Sequence, residues 1–269
     1  MAGAPDDRRW QKMTDLILTI RPAPDGEADV AALGRRGVAA LAAPVIEAAY
    51  FDTPPPAASS ATKLPGGLIF TSRHGIAGFL RLFDGVLPPA FANLPVFVVG
   101  RASGRMARKA GFSEVTVGAG GGAGLVPLIL ARTLARRDLT GAPLLWPCAV
   151  HCGFDMQAAL APQVAVTMLP VYEMKPVPRF DDRALAALGD GRVGAVILMS
   201  ARSARLFREM LARHDLEPRI NGMALIAGSK AIADVAGSGW DEEFVARRST
   251  RARLLAIAAL FYHRRMTGR

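Results

Sequence analysis

Two rhythms alternate along the chain. Short apolar runs of strand type occur at LILTI (16–20), GLIF (67–70), PVFVVG (95–100), PLLW (143–146), VGAVILM (193–199) and MALIAG (223–228). Between them, GEADVAALGRRG, IAGFLRLF, SGRMARKAG, LVPLILARTLARR and SARLFREMLARHD place apolar residues near the spacing of a helix turn. Strand, helix, strand at this rhythm predicts an α/β protein with parallel sheets covered by helices. Pro and Ser crowd TPPPAASSATKLP (53–65), which predicts a loop between strand segments.

The pattern also repeats. Ser72 closes one apolar run and Gly100 closes the next; Ser200 and Gly228 do the same at the same interval. Gly100 opens GRASGRMARKAG and Gly228 opens GSKAIADVAGSG, each with a further glycine, Gly111 or Gly239, where a helix end is expected. PVIE (44–47) is echoed by PVYE (170–173). Two copies of one α/β unit are therefore expected, offset by about half the chain.

Composition supports a folded core and adds one constraint. Of 269 residues, 51% are apolar and 21% charged, which excludes a disordered chain. The 33 Lys and Arg outweigh the 23 Asp and Glu, for a net charge of +10, so an anionic partner is expected. The three Tyr and three Trp offer few stacking platforms, and no aromatic RNA-binding motif is present, which argues against nucleic acid. The apolar run LLAIAALF (254–261) is too short to span a bilayer and reads as a terminal helix docked on the core. MAGAPDDRRWQKMTD (1–15) has no apolar segment of secretory type, and two cysteines make no disulfide framework. A soluble, cytoplasmic protein that does not bind membranes is expected.

Several familiar chemistries lack their residues. GAGGGAG (118–124) has no Lys-Ser/Thr of a phosphate-binding loop, and the acid about twenty residues on, Asp138, precedes a strand instead of ending one. Cys148, His151 and Cys152 give three metal ligands without a fourth. No nucleophile-elbow motif accompanies the Ser, His and Asp residues.

The ordered set Arg21-Pro22, Gly37, Pro44-Val45-Ile46, Phe70-Thr71-Ser72 with Gly75, Val99-Gly100 with Ser103, Val171-Tyr172, Ser200 and Gly228 resembles the uroporphyrinogen-III synthase family over roughly residues 16–260. His74 stands where that family usually has Asn, and Ser103 keeps the hydroxyl of a usual Thr. Ala231 loses the second such hydroxyl, and PCAVHCG (147–153) replaces an Arg-Gly-rich turn. The resemblance implies two Rossmann- or flavodoxin-like parallel-sheet domains, joined by a two-stranded antiparallel connector, with a ligand cleft between them. It divides the chain into a discontinuous domain, 1–46 with 174–269, and an inserted domain, 47–173.

The resemblance implies a cyclising lyase acting on hydroxymethylbilane, a linear tetrapyrrole with eight carboxylates, without metal or cofactor. A monomer with this polycarboxylate as its partner, and with no nucleic acid, is expected. Strands that end in TS, VG or AG at a helix start present unsatisfied N–H groups to anions. Substrate carboxylates are accordingly assigned to Thr71, Ser72, Gly100, Arg101, Ala102, Ser103, Ser200, Ala201, Gly228, Ser229 and Lys230, with Arg21 as a bidentate cation. Tyr172, on the connector, is assigned the catalytic role of assisting the departing hydroxyl. The alternative is a two-domain tetrapyrrole- or anion-binding module that has lost the chemistry, motivated by Ala231 and the 147–153 turn.

Overall fold

The computed structural model describes residues 15–53, 64–135 and 142–267. The N-terminal segment, most of the Pro/Ser stretch at 53–65 and Asp138 lie outside them. The chain divides into two compact units: unit 1 from residues 1–47 and 175–269, and unit 2 from residues 48–174.

Unit 1 contains strands β1 (Leu16–Thr19), β2 (Ala40–Ala42), β9 (Val193–Leu198), β10 (Ala224–Ala227) and β11 (Glu242–Val245). They form a parallel sheet in the order β11-β10-β9-β1-β2. Counted within the unit, this is the doubly wound order of flavodoxin-like folds, and the strand order reverses between β1 and β9. Helices cover both faces, so β1, β9 and β10 are buried at every position and read as unbroken apolar runs. The terminal helix Arg251–Thr267 docks Leu254, Leu255, Ala258, Phe261 and Tyr262 on this core. None of the described helices is long and apolar enough to cross a membrane.

Unit 2 contains β4 (Gly67–Phe70), β5 (Pro95–Val99), β6 (Glu114–Gly118), β7 (Leu144–Ala149) and β8 (Val166–Pro176), with β3 (Ile46–Tyr50) at one edge. The order is β3-β8-β7-β4-β5-β6. The pairs from β8 to β6 are parallel, and the order reverses between β4 and β7, as in a Rossmann sheet. Beside β3, Phe51 N–H donates to the Val171 carbonyl, and farther along the same two chain segments Val177 N–H donates to that of Val45. One index rises as the other falls, so this pair is antiparallel, and it carries the chain into and out of unit 2. Side chains alternate across the sheet: Leu68, Phe70, Val96 and Val98 pack on one face, Ile69, Phe97, Leu144 and Trp146 on the other.

The helix ends refine the repeat. Gly111 follows the helix Gly100–Lys109 with φ +106, as expected of a left-handed helix end. In the second copy the helix Lys230–Ala236 is closed by Gly237 at φ +73 instead of Gly239. The edge strands β6 and β11 escaped the apolar-run pattern because Glu114, Thr116, Glu242 and Glu243 interrupt it on strands that are only partly buried.

Candidate active site

The two serines of the repeat occupy one backbone conformation. Ser72 has φ −148 and ψ 153; Ser200 has φ −145 and ψ 148. Each ends the run after a central strand and caps the next helix. Ser72 Oγ accepts from His74 N–H at 3.2 Å, and Ser200 Oγ accepts from Ser203 N–H at 3.1 Å. Both lie beside the point where their own sheet reverses strand order, the place where open α/β sheets bind ligands.

In unit 2 the reversal point opens into a pocket of about 290 Å³. Thr71 and Ser72 come from the end of β4, and Trp146 and Ala149 from β7. Cys152, Gly153 and Phe154 come from the following turn, and Tyr172 from β8. A hollow of about 280 Å³ in unit 1 lies beside Val193 and Met223, at the opposite strand ends from Ser200 and Gly228.

Backbone geometry delivers Tyr172 to the pocket. Cys148 pairs with Pro170 and Ala149 with Tyr172, leaving Val171 as an extra residue on β8. Such a bulge re-aims the side chain that follows it. Helix Arg73–Arg81 then lies close against these strands. A Cβ on Gly75 would stand 2.6 Å from the Pro147 carbonyl oxygen, and one on Gly78 would stand 2.8 Å from that of Val171. Only glycine permits this approach, which brings Ser72 and His74 to Tyr172.

The Tyr172 hydroxyl shares a hydrogen bond with Ser72, and the residue is 7% exposed. Burial is the main reason its phenol is held above the ordinary value; the bond to Ser72 pulls the other way. Tyr172 therefore stays protonated, a donor, at neutral pH. Its ring lies 5.4 Å from that of His74 and 6.2 Å from that of Tyr50. Burial, then the Arg73 charge, lowers His74, so the imidazole is neutral. Burial raises Tyr50, whose hydroxyl lies 2.7 Å from His74 Nδ1. A phenol is the stronger donor and an imidazole nitrogen the stronger acceptor, so Tyr50 donates. Trp146 Nε1–H donates to Thr71 Oγ1 at 3.3 Å, fixing the opposite wall.

The remaining assigned residues divide by unit. Gly100 opens its helix at φ +77 with no side-chain cap, leaving leading N–H groups without a side-chain acceptor; Arg101 and Ala102 are exposed there, and Ser103 is buried. In unit 1, Ser229 caps its helix by accepting from Ile232 N–H at 3.4 Å. Ala201 opens the helix after Ser200, and Lys230 pairs with Asp234. A Cβ on Gly228 would meet Ser249 Oγ at 2.6 Å. Arg21, assigned as a bidentate cation, already has carboxylate partners within the fold. Its guanidinium reaches Asp25 at 2.7 Å and the buried Asp29 at 3.3 Å, and Asp29 also accepts from Arg251.

Sequence reasoning missed Tyr50, Trp146 and Phe154; it weighed Gly122 only as part of a phosphate-loop motif, His74 only as a departure, and the 147–153 turn as a departure and as three metal ligands. Among the described residues, no three His, Cys, Asp or Glu side chains gather in a metal-binding group.

The chain is thus a doubly wound α/β protein with helix-start donors at its strand ends and a buried tyrosine beside one of them. The family model for uroporphyrinogen-III synthase HemD matches residues 27–256. The chain belongs to the uroporphyrinogen-III synthase family. Among solved structures, uroporphyrinogen-III synthetase from Helicobacter pylori is 16% identical, with 91% of this chain and 98% of that one covered at a TM-score of 0.55, a likeness of fold. Uroporphyrinogen III synthase from Thermus thermophilus is 19% identical, covering 94% and 99% at a TM-score of 0.41. No curated protein matches the chain in sequence.

Proposed function

We propose that this chain is the lyase of its family, cyclising hydroxymethylbilane to uroporphyrinogen III with loss of water and inversion of the last pyrrole ring. Loss of the hydroxyl leaves an azafulvene cation, attack on it gives a spiro-pyrrolenine, and fragmentation with reclosure inverts the ring. The observation that carries the mechanism is the buried, protonated Tyr172 hydroxyl held by Ser72 at the reversal point of unit 2.

In this reading Tyr172 donates to the departing hydroxyl, lowering the barrier to its loss. Burial that keeps the phenol protonated also keeps water from competing for its hydrogen bond. Thr71, Ser72 and the uncapped start at Gly100, with Arg101, Ala102 and Ser103, provide donors for substrate carboxylates in unit 2. Ser200, Ala201, Gly228, Ser229 and Lys230 form a second set of similar design in unit 1. Arg21 contributes chiefly by tying the end of β1 to Asp25 and Asp29, and only secondarily as a carboxylate partner. The same reading takes the protein as a cytoplasmic monomer whose net charge of +10 serves a polycarboxylate instead of nucleic acid.

Hydroxymethylbilane also closes unaided to the non-inverted isomer. Incubation with bilane generated in situ, followed by separation of isomers I and III, tests the proposal. Predominant isomer III supports it; isomer I at the uncatalysed rate would leave a binding module.

A further inference from the structure

The chain has two cysteines, four residues apart at the end of β7 and in the turn that follows it, beside the pocket of unit 2. Cys148 is 2% exposed on β7, whereas Cys152 is exposed and lines the pocket. Their thiols are hydrogen-bonded to each other, and Cys152 Sγ–H also reaches the Ala149 carbonyl at 3.3 Å. The turn between them is tied to Tyr172: Val150 N–H donates to the Tyr172 carbonyl at 3.0 Å, and Ala149 is the register partner of Tyr172 beside the bulge.

We propose that Cys148 and Cys152 form a reversible thiol-modification site that reacts with low-molecular-weight disulfides to give an intramolecular disulfide, and that oxidation shifts Tyr172 and slows turnover. The effect on turnover rests on the function proposed above; the dithiol chemistry does not.

The order of events follows from access. Cys152 is open to solvent, and its thiolate is favoured by the hydrogen bond from Cys148. Its sulfur attacks one sulfur of the oxidant, whose S–S bond breaks. A mixed disulfide forms at Cys152 and one thiolate leaves, taking a proton from water. Cys148 is held strongly protonated by its bond to Cys152, by burial and by the neighbouring thiolate. Capping Cys152 removes the first and third of these causes. Cys148 Sγ then attacks Cys152 Sγ, the mixed disulfide breaks, and the second thiolate leaves with the Cys148 proton. Two protein thiols are oxidised to one disulfide, and the oxidant disulfide is reduced to two thiols. The new bond draws the 149–152 turn toward β7, and the Val150–Tyr172 hydrogen bond passes that movement to the tyrosine.

The test uses the full chain equilibrated with mixtures of reduced and oxidised glutathione, then acid-quenched. Intact mass and alkylation report the thiols. The wild type should lose both thiols together, with the mass of two hydrogens and no lasting glutathione adduct. Cys148→Ala should hold one glutathione at Cys152, and Cys152→Ala should stay unmodified. A wild type that keeps both thiols free in the most oxidising mixture, that stops at the mixed disulfide, or that links two chains would overturn the proposal. Turnover of the oxidised wild type should fall at least about tenfold and return on reduction, because misplacing a catalytic group by about 1 Å can cost 10²-fold. Undiminished turnover with the disulfide formed would overturn the link to Tyr172. A reduced protein that makes no isomer III would defeat the functional reading alone, since the thiol count stands independently of it.

Discussion

The Tyr50 hydroxyl lies 2.7 Å from Nδ1 of His74, and both rings pack beside Tyr172. The bond links an edge strand to the first turn of the helix capped by Ser72, so it braces the assembly around the Tyr172 hydroxyl. Tyr50→Phe keeps the ring and removes the donor, leaving a buried imidazole nitrogen without that partner. Such a loss destabilises a protein by about 1–3 kcal/mol. Urea denaturation of the two proteins measures it, and indistinguishable midpoints would show that the bond contributes nothing.

Stability should depend on pH through His74. Its folded pKa lies below the ordinary value of 6.5, because of burial and then the Arg73 charge. The unfolded chain therefore takes up this proton first as pH falls. The contribution is fully present above 6.5 and is lost as pH drops through the folded value. Between about pH 7 and about pH 5, the melting temperature of His74→Gln should fall less than that of the wild type. Parallel melting curves across that range would mean that His74 titrates alike in both states.

Gly75 places the helix on the sheet. A methyl there would meet the Pro147 carbonyl oxygen at 2.6 Å, so Gly75→Ala must lift the helix start that carries Ser72 and His74. Overpacking of this kind destabilises by about 1–3 kcal/mol, and turnover should fall with it. Gly189→Ala is the control, because nothing lies within 4 Å of the added carbon. Thermal melts and turnover that match between the two variants would contradict the close approach.

Ser72 and Ser200 should separate under substitution. Each caps a helix, so Ala at either position should cost about 0.5–2 kcal/mol of stability. Ser72 also bonds the Tyr172 hydroxyl, whereas the Ser200 hydroxyl donates to Ser203 at 2.8 Å. Turnover should therefore drop further in Ser72→Ala than in Ser200→Ala. Equal kinetic losses would remove the special role given to the Ser72–Tyr172 bond.

Much of this was legible in the sequence, for a physical reason. A buried parallel strand that ends in a capping serine or a glycine leaves a local signature, and Thr71-Ser72, Gly100, Ser200 and Gly228 carry it. The two strand orders could not be read, because register between distant strands leaves no local mark. Nor could the bulge at Val171, which turns Tyr172 inward, be seen in PVYE alone. Tyr50 meets Tyr172 and His74 from the edge strand, and Trp146 and Cys152 reach the pocket of Thr71 and Ser72 from β7 and its turn, so these meetings are products of sheet pairing. The ties of Arg21 to Asp29, which also pairs with Arg251, could not be read, because these residues are joined only by the fold.

The role given to Tyr172 is tested most directly by the rate of isomer III formation by the wild type and Tyr172→Phe side by side. If the buried hydroxyl assists departure of the substrate hydroxyl, the variant should lose about a hundredfold or more in turnover while binding the product with unchanged affinity. A loss of less than about tenfold, with isomer III still dominant, would contradict the role assigned to the hydroxyl and leave Tyr172 as a positioning residue.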